Sequence, residues 1–227
     1  MKDRPQNLTL LRLLQLTSPA LPVGAFAYSQ GLEWAVEAAW VGDESSLSGW
    51  LAEQLAHSIG GVDLPILVRL YDAVAREDEA AQFSWSRRLV AMRETRELVA
   101  DDCERGRALA RLLRDLGIDR AAAWAGREDT PFAALTALAA VTWGIPLAAT
   151  VQAYAWGWLE NQILAGVKLI PLGQVAGQRL LFELAPRIPE VCEEALLRGD
   201  DEIGGMLPIV ALASSLHETQ YTRLFRS

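Results

Sequence analysis

RETRELVADDCERGRALARLLRDL, residues 93–116, is the stretch on which the fold class turns. Leu109, Leu112, Leu113 and Leu116 recur at helical spacing against a background of arginines and acids. That pattern predicts a long amphipathic helix with one solvated face. Gly117 follows as its stop, because glycine enters the left-handed conformation that closes a helix. Glu94, Glu97 and Glu104 alternate with Arg, which reads as surface ion pairs along a helix rather than as paired catalytic carboxylates.

The same reading extends outward in both directions. Leu47, Trp50, Leu51, Leu55 and Ile59 keep helical spacing after a start at Ser45 and Ser46. Residues 130–159 carry no charge, a length that suggests a membrane span. Gly144 and Pro146 interrupt it, however, and Gln152 and Tyr154 suit a buried soluble helix. Breaks are expected at 18–24, at Gly60 and Gly61, at Gly117, and at 126–131, 144–146, Pro171, 186–189 and 199–208. No run alternates with period two. The expectation is a single all-α globular domain over 1–227, of about ten helices in antiparallel packing.

Composition narrows the function classes. At 227 residues, with 51% hydrophobic residues, the chain is long enough for one sizeable core. The formal net charge is −8, opposite to the basic footprint that phosphate binding needs, so no nucleic-acid partner is expected. Lys2 and Lys168 are the lysines. Within 130–178, Lys168 is the cation and Glu160 the anion, so Lys168 either reaches the surface or meets a carboxylate. Cys103 and Cys192 do not make a disulfide framework and suit a reducing, cytoplasmic compartment. The N-terminus lacks a signal-peptide pattern, and no membrane role is expected.

The chemistry of a catalytic site is missing from the pattern. His57 and His217 stand far apart, with no HExxH or paired CxxC motif for a metal. There is no GxSxG elbow and no glycine-rich phosphate loop ending in Lys. Neither a catalytic residue, a cofactor nor a resident metal is expected. A protein acting on other proteins is the better reading.

Three segments carry more. SPALPVGAFAYSQGLEWAVE, residues 18–37, is a Pro-stiffened turn that enters a helix around Ala25 to Tyr28, with Ser29, Gln30 and Glu33 at polar positions. NQILAGVKLIPLGQVAGQRLL, residues 161–181, places Gly173 and Gly177 four apart, and Gln174 and Gln178 likewise. On a helix starting near Pro171 the glycines would open a flat groove, either for a partner or for an internal helix crossing. In SSLHETQYTRLFRS, residues 214–227, Tyr221, Leu224 and Phe225 form an i, i+3, i+4 stripe flanked by Arg223 and Arg226. That stripe has little following chain to cover it.

LPVGAFAYSQGLE (21–33), WLENQILAGVKLIPLGQVAGQRLL (158–181) and HETQYTRLFRS (217–227) together resemble the urease accessory protein UreF family, in the family's order. Residues 41–129 carry little of that kind. The resemblance implies an all-α, dimer-forming cytosolic protein that bridges UreD (UreH in some species) and the GTPase UreG. That assembly docks on apo-urease and delivers nickel to its carbamylated-lysine bimetallic site. It further implies that the tail docks on UreD/UreH through Tyr221, Arg223, Leu224, Phe225 and Arg226, with His217 and Glu218 leading into it. Those tail side chains are expected to be loosely ordered until a partner binds. Lys168, Gln174, Gln178, Tyr28 and Glu33 are candidates for the UreG face. Two alternatives stay open: direct activation of UreG by a donated arginine, and a structural dimerisation module unrelated to urease.

Overall fold

A computed structural model describes residues 4–205 and 207–226. Lys2, Met206 and Ser227, within the expected domain 1–227, lie outside the described residues, and Ser227 also ends the expected tail. The elements in chain order are α1 (Arg4–Thr17), α2 (Leu32–Glu37), α3 (Glu44–Glu53), α4 (Leu64–Ala75), α5 (Glu79–Ala91) and α6 (Arg96–Asp115). They continue with α7 (Phe132–Thr142), α8 (Leu147–Leu169), α9 (Gln174–Leu184), α10 (Ile188–Leu197) and α11 (Pro208–His217). No strand occurs among the described residues, in line with the missing period-two alternation.

α4 is the centre of the core. Leu64, Ile66, Leu67 and Leu70 are fully buried, and α5, α7, α8 and α10 surround it. α7 is apolar all round for the same reason: Ala133, Leu135, Ala137, Ala139 and Ala140 have no solvated side to serve. The charge-free stretch is thus split between a buried helix and the first half of α8. The separation falls where Gly144 (φ +67°) and Pro146 were expected to place it. No helix of the described residues is long and apolar enough to cross a membrane.

Local chemistry explains the helix starts. Asp43 accepts the Ser46 N–H at 2.8 Å, and Ser46 Oγ accepts the Asp43 N–H at 3.1 Å, so α3 begins one residue ahead of the expected Ser45. Thr95 accepts the Leu98 N–H and starts α6. Gly117 (φ +86°) follows its end as expected.

Several expectations need correction. Gly60 and Gly61 do not break the chain; Gln54–Asp63 continues α3 as a π-helix that runs into α4. Their role is close approach. A Cβ on Gly60 would stand 2.5 Å from Val191, and one on Gly61 would stand 2.5 Å from the Gly204 carbonyl oxygen. Gly173 and Gly177 do not form a groove on one helix. Gly173 precedes α9, and Gly177 packs against Val167 and Ile163 of α8, the internal crossing. The 18–37 segment makes only a 3-10 turn at Ala25–Ala27, and α2 begins at Leu32, after Gln30 and Gly31 both take positive φ. The predicted tail helix does not form either: α11 ends at His217.

Gly106 supplies a test of packing. On α6 it faces the loop before α7, where a Cβ would come within 1.9 Å of the Thr130 carbonyl oxygen. Backbone cannot yield as a side-chain tip can, so Gly106→Ala is expected to destabilise by about 3 kcal/mol. Gly157 on α8 has nothing within 4 Å of its added Cβ, and Gly157→Ala is expected to stabilise by about 1 kcal/mol. Urea midpoints of the two variants, moving in opposite directions, check the pair.

Candidate functional site

The tail is held by carboxylates on α2 and α6. His217, the last residue of α11, is fully buried between them: Nδ1 lies 2.7 Å from Glu97 Oε2, and Nε2 lies 3.0 Å from Glu33 Oε2. With a carboxylate oxygen facing each ring nitrogen, the imidazolium form donates to both sides. Gly31 permits this meeting of α2 and α11. Its φ is +83°, and a Cβ there would sit 2.9 Å from the Ser214 nitrogen.

Beyond His217 the chain turns back over α2 without a helix. Glu33 accepts the Leu224 N–H at 2.6 Å on Oε1 and the Phe225 N–H at 2.8 Å on Oε2. One carboxylate therefore serves the histidine and two backbone donors, and these charge-assisted bonds are the strong kind. The Arg226 N–H donates to the Ala27 carbonyl at 2.8 Å, which closes the tail onto the 3-10 turn. Arg223 reaches Glu97 at 3.0 Å and Arg226 reaches Glu104 at 3.0 Å. Tyr28 donates its hydroxyl to the same Glu104 at 2.5 Å. Burial first, and then Glu104, push the Tyr28 hydroxyl up to about 12. Glu218 accepts the Arg96 N–H at 3.1 Å, in the first turn of α6.

This arrangement sorts the tail side chains by direction. Phe225 is 5% exposed and joins the domain core, with Lys168 Nζ 5.1 Å above its ring. Tyr221 is 102% exposed and Leu224 is 61% exposed. The i, i+3, i+4 stripe therefore does not exist as one face. The expectation of a loosely ordered Phe225 is corrected, because its ring fills space in its own domain. Lys168 is exposed, as one of its two expected outcomes had it, and its head rests on an aromatic face.

Tyr28, Glu33, Lys168, His217, Arg223, Phe225 and Arg226 thus come together in one cluster. Gln174 and Gln178 do not join it. They stand exposed on α9, beside Val175 and Phe182, and neither side chain makes a hydrogen bond among the described residues. Glu97 and Glu104 were expected to pair along the surface of α6. Glu97 is instead buried, and both receive basic groups from the tail more than a hundred residues away. The usable signal was their common face: positions 97, 101 and 104 are one helical stripe of acids.

A second polar cluster lies beneath, facing a cleft between α1, the π-helix, α6 and α8. Arg93 forks onto Asp63 at 2.7 and 3.0 Å and onto Asp102 at 2.8 and 3.0 Å. Tyr154 donates to Asp63 at 3.0 Å, and Asp102 also accepts the Phe132 N–H, where a negative charge suits the start of α7. Arg105 pairs with Asp101 at 2.6 Å, and Gln30 bridges Asp101 to Trp158. Burial opposes the Arg93 charge, but Asp102 and Asp63 outweigh it and hold the guanidinium firmly protonated. Burial lifts the Asp101 carboxyl above the usual range against the pull of Arg105. The polar side of α6 is therefore not simply solvated; it buries Glu97, Asp101 and Asp102.

No group of three or more His, Cys, Asp or Glu among the described residues is placed to hold a metal ion. Cys103 and Cys192 are buried free thiols, and burial pushes them up to about 11 and about 12. What the two clusters can do chemically is hold backbone and side chains in place.

Comparison with known proteins bears on the same residues. The UreF family model matches residues 41–185, which takes in the 41–129 segment where no motif was legible. The urease accessory protein UreF of Alkalilimnicola ehrlichii is 52% identical over 216 residues, covering 95% of each chain. That of Pseudomonas putida is 52% identical over 223 residues, covering 97% of this chain and 99% of its own. That of Alcanivorax borkumensis is 44% identical over 229 residues.

Proposed function

We propose an adaptor role for this chain, which belongs to the UreF family of urease accessory proteins. In this reading it bridges UreD (or UreH) and the GTPase UreG in the cytoplasm. It couples GTP hydrolysis to insertion of nickel, the cargo, into apo-urease. It is not itself an enzyme, and it works as a homodimer. Four leucines of α1 (Leu8, Leu10, Leu11 and Leu14) are exposed, as are Val175 and Phe182 of α9. Uncovered apolar faces of this kind suit assembly.

The observation that carries the reading is the direction of the tail side chains. Phe225 anchors inward while Tyr221 and Leu224 project into solvent from a backbone pinned by Glu33. A solvent-exposed aromatic and leucine on a fixed backbone are the makings of an interface hot spot, since little ordering entropy opposes docking. The tail is the UreD/UreH contact; Lys168, Gln174 and Gln178 remain the candidates for the UreG side, whereas Tyr28 and Glu33 are buried and hold the tail instead of facing a partner. Arg223 and Arg226 are engaged by Glu97 and Glu104. That favours gating of UreG over donation of either tail arginine to its active site, and UreG turnover with and without the chain separates the two.

Tyr221→Ala combined with Leu224→Ala is the test. Both side chains are exposed, so the melting temperature should not move. Affinity for purified UreD should fall by about thirtyfold, the equivalent of about 2 kcal/mol. Wild-type affinity in this variant would remove the tail from the docking surface.

A further inference from the structure

On the far side of the tail, the 3-10 turn Ala25–Ala27 and one stripe of α6 border an open groove. Its working residues are Gly24, Phe26, Tyr28, Arg107, Arg111 and Arg226. Phe26 is 72% exposed and, like Phe182 on α9, faces solvent instead of the core. Gly24 takes φ +77° with nothing within 4 Å of an added Cβ, so the floor beside Phe26 is open.

The charge of the groove runs against that of the chain. Three guanidiniums face one carboxylate, Glu104, which Tyr28 and Arg226 already occupy. Arg107 reaches only the Glu128 carbonyl, at 3.5 Å, and Arg111 makes no side-chain bond among the described residues. Both stand on α6 four residues apart, so they are neighbours on one helix face, and both line the groove. A local positive site with spare donors, on a chain of net charge −8, is built for a local negative ligand.

We propose that this groove receives an acidic segment of a partner protein, with its carboxylates on Arg107 and Arg111 and a neighbouring apolar side chain on Phe26. Guanidinium forks match carboxylates bidentately, and the exposed aromatic asks for an apolar companion that an inorganic anion lacks. Nucleic acid and anionic membranes fit poorly, because both need an extended basic footprint and the chain carries a net charge of −8. Arg226 supplies one wall only while Glu33 and Ala27 hold the tail, so the groove is complete in the latched state. A partner that docks here thereby reads whether the tail is in place. The proposal deepens the adaptor reading by naming the chemistry of a contact distinct from Tyr221 and Leu224.

The test places a photo-crosslinker, Phe26→p-benzoylphenylalanine, in the full chain mixed with purified UreD, UreG and apo-urease. Mass spectrometry of the crosslinked peptide should identify a partner segment rich in Asp and Glu. The yield should fall more than tenfold with Arg107→Glu and Arg111→Glu together, and also at high salt. Arg107→Ser with Arg111→Ser serves as the second variant if the reversed charges disturb folding. No crosslink, a crosslink to a neutral or basic segment or to a second copy of this chain, or a yield indifferent to both pairs of variants overturns the proposal. Retention of UreD is scored in the same mixtures. Loss of the crosslink with UreD retained sinks the groove alone, whereas loss of UreD binding by the unsubstituted chain sinks the adaptor reading.

Discussion

Arg93→Ala is expected to lower the stability of the folded chain by about 3–5 kcal/mol. Arg93 is the common partner of Asp63 and Asp102, whose side chains are only a few per cent exposed. Removing it leaves two buried carboxylates with no positive charge between them. The loss spreads beyond the pair. Asp63 ends the π-helix and accepts from Tyr154 of α8, while Asp102 caps the start of α7. Four elements therefore lose their shared anchor at once. Arg93→Lys should fall between the two, because a lysine ammonium cannot fork onto both acids. Chemical denaturation followed by circular dichroism measures the effect. A loss below about 1 kcal/mol would mean that the carboxylates find water through the cleft, a surface-pair magnitude rather than a buried one.

Glu33→Ala is expected to release the tail. The carboxylate accepts from His217, Leu224 and Phe225. A buried donor left without an acceptor costs about 1–3 kcal/mol, and three donors are left here. Freeing the tail is the escape from that penalty, because the Leu224 and Phe225 amides regain water, at the loss of the Phe225 ring burial, the Arg226 N–H bond to Ala27 and the solvent-facing pairs of Arg223 with Glu97 and Arg226 with Glu104. Hydrogen exchange should show the amides of residues 224 and 225 protected in the parent chain and exchanging like an unstructured segment in the variant. The rest of the domain should keep its protection. Under the proposed docking role, affinity for UreD should fall as well, since docking a mobile tail means fixing each backbone residue at about 1–2 kcal/mol. Protected amides at 224 and 225 in the variant would show that Phe225 burial, the Arg226 bond to Ala27 and the two arginine pairs hold the tail without Glu33.

Periodicity predicted α6 because four leucines on one stripe are a local signal, and the stops at Gly117 and at 144–146 were legible for the same reason. The cap at Asp43 was missed by one residue, since Ser46 was read as part of a start and not as the partner of an aspartate. Gly60 and Gly61 misled because glycine has two uses, turning a chain and letting another element come near. Only the position of Val191 and Gly204 distinguishes them. The tail misled in a similar way. Tyr221, Leu224 and Phe225 have helical spacing, but Glu33 offers the backbone of Leu224 and Phe225 a stronger acceptor than the next helical turn would. The segment follows the carboxylate.

The sequence by itself determined the all-α class, most helix ends, the lack of a recognisable catalytic motif, and the resemblance at three motifs that the family match bears out. All of these rest on residues close together in the chain. The tertiary structure decided which acids are buried, where the tail lies, and which of its side chains face solvent. Each of those outcomes depends on pairs separated by long stretches of chain, 120 residues for His217 and Glu97 and 192 for Phe225 and Glu33. A carboxylate on an amphipathic helix looks solvated in any local window. Whether it stays so is settled by which cation or backbone donor the fold brings to it, because burying a charge is tolerable only against a partner.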